Sequence, residues 1–71
     1  MEQFEIQFRT DKYSPVRSAT AITSDSDEAE KVLRSLLIEE GHSKNKIEII
    51  MIEPQGIVAG HEVSICENMQ V

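Results

Sequence analysis

Long apolar runs are missing from this 71-residue chain. The longest, Ile49-Ile50-Met51-Ile52, is four residues where a bilayer-spanning helix needs about 20, which argues against a membrane span. Cysteine is almost absent: Cys66 stands alone, so no intramolecular disulfide can staple the core. A small core without a covalent staple is marginally stable, and a homodimer or a tight partner would help it. Aromatics are limited to Phe4, Phe8 and Tyr13, and the three glycines, at 41, 56 and 60, make neither a Walker nor a dinucleotide-binding loop. The opening Met1-Glu2-Gln3-Phe4-Glu5 has neither the basic start nor the apolar stretch of a signal peptide, so a cytoplasmic protein is expected. What remains is 39% hydrophobic and 28% charged, the balance of an ordinary folded chain, and its length suits one small domain over residues 1–71.

Charge is uneven. Thirteen acids against seven Lys and Arg give −6. Residues 1–24 are balanced, with Glu2, Glu5 and Asp11 against Arg9, Lys12 and Arg17. Residues 25–41 hold six acids against Lys31 and Arg34. Lys44 and Lys46 are the last bases, and Glu48, Glu53, Glu62 and Glu67 follow without any. Such a surface repels phosphate backbones and suits a basic protein surface better, beyond its general service to solubility.

Phe4, Ile6 and Phe8 alternate with Gln3, Glu5, Gln7 and Arg9, the two-residue period of a strand with one buried face, which places both phenylalanines in a core facing a helix. Thr10-Asp11-Lys12-Tyr13-Ser14-Pro15 is polar, ends in proline and reads as a hairpin loop. Val16 to Thr23 is rich in β-branched and small residues. Val16, Thr20 and Ile22 share one parity, Ala19 and Ala21 leave little bulk on the other, and a second strand antiparallel to the first follows.

At Asp25-Ser26-Asp27-Glu28 the period changes. Asp25 with Glu28 three residues on is a capping box, and acids suit the positive end of the helix dipole. Ala29, Val32, Leu33, Leu36 and Leu37 then form one apolar stripe, and Gly41 supplies the stop, which predicts a helix from about 26 to 40. Asp27–Lys31 and Glu30–Arg34 are spaced i, i+4 with the acid first, worth a few tenths of a kcal/mol each. Lys46 to Glu53 is apolar on both parities, which predicts a third strand covered on part of both faces, central in the sheet or next to the helix. Pro54, Gly56 and Gly60 read as turns. Val63 and Ile65, alternating with Glu62, Ser64 and Cys66, predict an optional short fourth strand, and Asn68 to Val71 are expected to fray.

The order β-β-α-β with an optional last strand is an α+β fold: a three- to four-stranded, mostly antiparallel sheet with one helix on one face. Right-handed crossover sets the second and third strands parallel, with the first between them and antiparallel to both. The opposite sheet face is left to solvent or to a partner.

Catalytic chemistry finds little here. Cys66 or a serine would need His42 or His61 as base and an acid to orient it, yet there is no nucleophile elbow and little room for a closed pocket, so no enzyme and no catalytic residue is expected. Metal binding would draw on His42, His61 and Cys66, but zinc-type spacing is absent and a strand would set His61 and Cys66 on opposite faces. Asp25-Ser26-Asp27 lacks the glycine and the distant Glu of a calcium loop, and capping accounts for it. No metal and no cofactor is expected.

The stretch Thr20-Ala21-Ile22-Thr23-Ser24-Asp25-Ser26-Asp27-Glu28-Ala29, then Gly41, then Ile47-Glu48-Ile49-Ile50-Met51-Ile52-Glu53-Pro54, resembles the small phage-encoded proteins that inhibit bacterial RNA polymerase, and other small phage and mobile-element proteins of ββαβ layout. The likeness covers about residues 16–54 and consists of a strand, an acid-capped helix, a glycine stop and a strand ending in proline. It implies a domain that binds the polymerase through strands and loops, without catalysis.

The reading that follows is a small acidic protein that binds a macromolecular protein partner. Asp27, Glu30, Arg34 and Glu39 on the helix and Arg9, Lys12 and Arg17 around the hairpin are the candidate contacts. The alternative is a nucleic-acid module that gathers Arg9, Lys12, Arg17, Lys44 and Lys46 at one end of the sheet with Tyr13 as a stacking surface. A third reading is a self-associating domain that pairs an edge strand with its twin as a homodimer.

Overall fold

The alternation of Phe4, Ile6 and Phe8 becomes strand β1 (Glu2–Arg9), whose inward side chains are buried and whose outward ones are half-exposed. A computed structural model describes residues 1–60 and 62–68. After the hairpin loop, closed by Ser14 N–H donating to the Asp11 carbonyl at 3.0 Å, comes β2 (Arg17–Thr23), then helix α1 (Ser26–Glu39), β3 (Glu48–Ile57) and β4 (Ser64–Asn68). The sheet order is β3-β1-β2-β4 and every neighbouring pair is antiparallel, so β1 lies between β2 and β3 as the crossover rule requires. The fold is α+β, with four strands and one helix. No helix among the described residues is long and apolar enough to cross a membrane.

The helix begins and ends where its local chemistry dictates. Asp25 is the N-cap in an extended conformation, and its carboxylate accepts from Glu28 N–H at 2.8 Å. Glu28 reaches back one residue further than the simplest capping box, accepting from the backbone N–H and the hydroxyl of Ser24 at 2.8 and 3.0 Å. At the far end, His42 N–H donates to Leu37 and Gly41 N–H donates to Ile38, a Schellman motif with Gly41 at φ 103°. The last turn carries Glu39 and no base, so the dipole at that end is unsupported.

The core is built on one face of β1 and β2. Phe8, Ile6, Leu33 and Leu37 are fully buried, and the helix rests chiefly on β2. Ala19 and Ala21 are the reason: both face the core, opposite Ile6 and Phe4, and their small side chains let the helix approach. Thr20 and Ile22, with the opposite parity, lie on the uncovered face. Buried Thr23 donates its hydroxyl to the Asp25 carbonyl at 2.7 Å, which ties the strand end to the cap.

The third strand departs from expectation. It is an edge strand, mostly exposed, and it runs through Pro54 and Gly56 to Ile57 where turns are predicted. Its register against β1 explains how the apolar run misleads. Phe8 pairs with Ile49 but Gln7 with Met51, so Ile50 is an extra, bulged residue; Phe4 pairs with Pro54 but Gln3 with Gly56, so Gln55 is another. The first bulge shifts parity, so Ile49 and Ile52 both pack on the core while Ile50 and Met51 are exposed. Proline is tolerated because an edge strand has one side with no ladder to supply. The optional fourth strand is present, and Asn68, expected to fray, is its last residue. Met69 to Val71 and His61 lie outside the described residues.

Two measurements check this architecture. Gly41→Ala is expected to lower unfolding free energy by about 1 kcal/mol in urea titration. No atom lies within 4 Å of the added Cβ, so that cost is purely conformational. Ile52→Ala is expected to cost about 1–2 kcal/mol while Ile50→Ala stays within about 0.5; equal costs would contradict the bulge.

Candidate functional site

Helix α1 covers one sheet face and leaves the other open, and the charges divide between these faces and the sheet ends. On the open face β1 contributes Gln3, Glu5, Gln7 and Arg9, none fully buried. Arg9 is already engaged there: its guanidinium meets the Glu48 carboxylate at 2.8 Å across the β1–β3 pair. Arg17 points the other way, over the Phe8 ring at 5.5 Å and into an ion pair with Glu67, which lies beside buried Ala19 on the helix side. The two arginines therefore belong to opposite faces.

Lys12 caps the hairpin and sits 5.0 Å from the centre of the Tyr13 ring, itself 86% exposed. Lys46 comes to the same end of the sheet, 3.9 Å from Asp11. With Asn45 and Glu48 they line an open recess of about 380 Å³. The basic cluster proposed for nucleic acid is thus assembled in part, but Arg9 and Lys46 each have a carboxylate beside them, and Arg17 is elsewhere.

The helix candidates also separate. Arg34 binds Glu30 at 3.0 Å and donates to the Ile47 carbonyl at 3.4 Å, which fixes that flank toward the approach to β3; Asp27 shares the row by helical spacing. Glu39 borders a groove on the opposite flank, between the helix and β4. Asp27, Glu30, Arg34 and Glu39 do not form one patch.

A pair that composition and spacing leave unremarked emerges from the register. Glu5 on β1 lies directly opposite Glu53 on β3, on the open face. Neither carboxylate has an ion-pair partner among the described residues, since the one arginine of that face is taken by Glu48. Like charges directly across a strand pair destabilise a sheet by a few tenths of a kcal/mol or more. Sequence could reveal the pair only with the bulge at Ile50 in hand, because that bulge decides which residue of β3 faces Glu5.

Among the described residues no group of three or more His, Cys, Asp or Glu is placed to hold a metal ion. His42 serves the helix stop through its backbone, and Cys66 is exposed on β4. No protein-family model, curated protein or solved structure matches the chain.

The Arg9–Glu48 pair is about one-third and one-half exposed. A double-mutant cycle with Arg9→Ala and Glu48→Ala is expected to give a coupling of at most about 0.5 kcal/mol, shrinking in 1 M salt. A larger, salt-independent coupling would show the pair to be structural.

Proposed function

We propose that this chain is a non-catalytic acidic protein that acts by binding a macromolecular protein partner. Its contact is the uncovered sheet face around Glu5 and Glu53, and the surface it meets is basic. The observation that supports this is the opposition of those two carboxylates on a face the helix leaves bare. The fold gains nothing from the pair, whereas a Lys or Arg brought by a partner would relieve the repulsion and add charge-assisted hydrogen bonds. Such complementarity supplies orientation and association rate as much as affinity. A phage-type inhibitor of a host enzyme such as RNA polymerase, working in the bacterial cytoplasm, is one form of this reading.

The nucleic-acid reading rests on the basic residues Arg9, Lys12, Arg17, Lys44 and Lys46 instead, with Tyr13 as a stacking surface. Two sets of charge reversals divide the readings. In pull-downs from bacterial lysate with mass spectrometry, one nuclease-resistant protein is expected. Its recovery should fall at least tenfold with Glu5→Lys plus Glu53→Lys and hold with Lys12→Glu plus Lys44→Glu. Nuclease-sensitive recovery with the reverse dependence would establish the hairpin reading. In the isolated protein, Glu53→Gln is expected to raise stability by up to about 0.5 kcal/mol, read by thermal unfolding.

A further inference from the structure

The two edges of the sheet are built differently. β3 carries the devices that keep edges from pairing: two bulges, Pro54, and the charges Glu48 and Glu53. β4 has neither bulge nor proline. Its five residues run in regular register with β2 from Ser64 against Ile22 to Asn68 against Ser18, and its single charge, Glu67, is bound to Arg17. Among the described residues no strand lies on its outer side.

Beside β4, on the helix face, lies a groove of about 370 Å³. Half-buried Val32, Leu36 and Ile65 form its bed, left open because the helix rests on β2 and not over β4. Its rim is a single helical row, Lys31, Ser35 and Glu39, at i, i+4 and i+8. A base stands at one end, an acid at the other and a small residue between. Rotating this row by half a turn about Ser35 sets Lys31 against Glu39 and Glu39 against Lys31, so the rim is complementary to itself. Ile65, one residue from the midpoint of β4, lines this groove together with Val32 and Leu36.

We propose that β4 pairs antiparallel with β4 of a second copy about a two-fold axis at Cys66, giving one continuous eight-stranded sheet from two four-stranded ones. Directly opposite residues share a face in an antiparallel pair, so both helices stand on the same side. Each rests over its own β2, three strand spacings from the other, about 14 Å. A helix with its side chains is about 10–12 Å across, so the two helical surfaces stand only a few Å apart, which brings the Val32, Leu36 and Ile65 beds of both copies together and puts Lys31–Glu39 ion pairs within reach. The guarded β3 becomes the edge at both ends of the sheet, and the open face with Glu5 and Glu53 stays free in each copy. The proposal is therefore independent of the partner-binding reading.

The test is sedimentation equilibrium of the full chain over micromolar to millimolar concentration, under reducing conditions so that Cys66 cannot cross-link. Twice the monomer mass is expected at the upper end. Lys31→Glu alone and Glu39→Lys alone should each raise the dimer dissociation constant roughly tenfold, since each turns two attractions into two repulsions. The double swap Lys31→Glu plus Glu39→Lys should bring it back to within about twofold of the original. All three changes sit on an exposed rim, and circular dichroism verifies that each variant is folded. A monomer at every concentration overturns the proposal. So does a dimer indifferent to the single reversals, or one that the double swap fails to restore. None of these outcomes touches Glu5 or Glu53, so the partner-binding reading stands or falls separately.

Discussion

The contact between α1 and the small face of β2 governs the rest of the molecule. Ala19 and Ala21 present methyl groups where a helix must come close, and Leu33 and Leu37 descend beside them onto Phe4, Ile6 and Phe8. A helix drawn to β2 cannot also cover the outer strands of a four-stranded sheet. β3 is left with only Ile49 and Ile52 packed on the core, and β4 is left beside an apolar groove instead of under a helix. The exposure of both edges follows from where two alanines lie.

Charge is distributed in answer to that geometry. Each arginine is held: Arg9 by Glu48 on the open face, Arg17 by Glu67 across Phe8, Arg34 by Glu30 on the helix. The bases thus knit the sheet and helix together locally, at partly exposed sites where each pair contributes little alone. The acids are in surplus, and two of those left over, Glu5 and Glu53, face outward on the bare side of the sheet. Net charge of −6 keeps a small protein soluble, and the facing carboxylates of Glu5 and Glu53 give the bare sheet face a negative sign.

Much of this was legible along the chain. The alternation around Phe4, Ile6 and Phe8, the Asp25–Glu28 cap, the stripe from Ala29 to Leu37 and the stop at Gly41 are signals carried by neighbours in sequence, and the elements fall within a residue or two of them. Even the order of β3, β1 and β2 follows from chain connectivity. The candidate contacts were far less legible. Asp27, Glu30, Arg34 and Glu39 share one helix in sequence, but they divide between two flanks, and only the placement of β3 and β4 shows what each flank meets.

Sequence alone determined the identity of the elements, their caps and the fold class, because periodicity and capping act over a few residues of continuous chain. Tertiary structure alone decided how β3 registers against β1, which acids stand opposite one another and which arginine each carboxylate receives. The physical reason is register. One extra residue at Ile50 reverses the parity of β3 from Met51 to Pro54, turning an apolar run that reads as two-faced into a strand with one face on the core and the other bare. A bulge of this kind leaves no mark in composition or periodicity, for it is set by how β3 must lie against β1, and only the folded sheet holds that information.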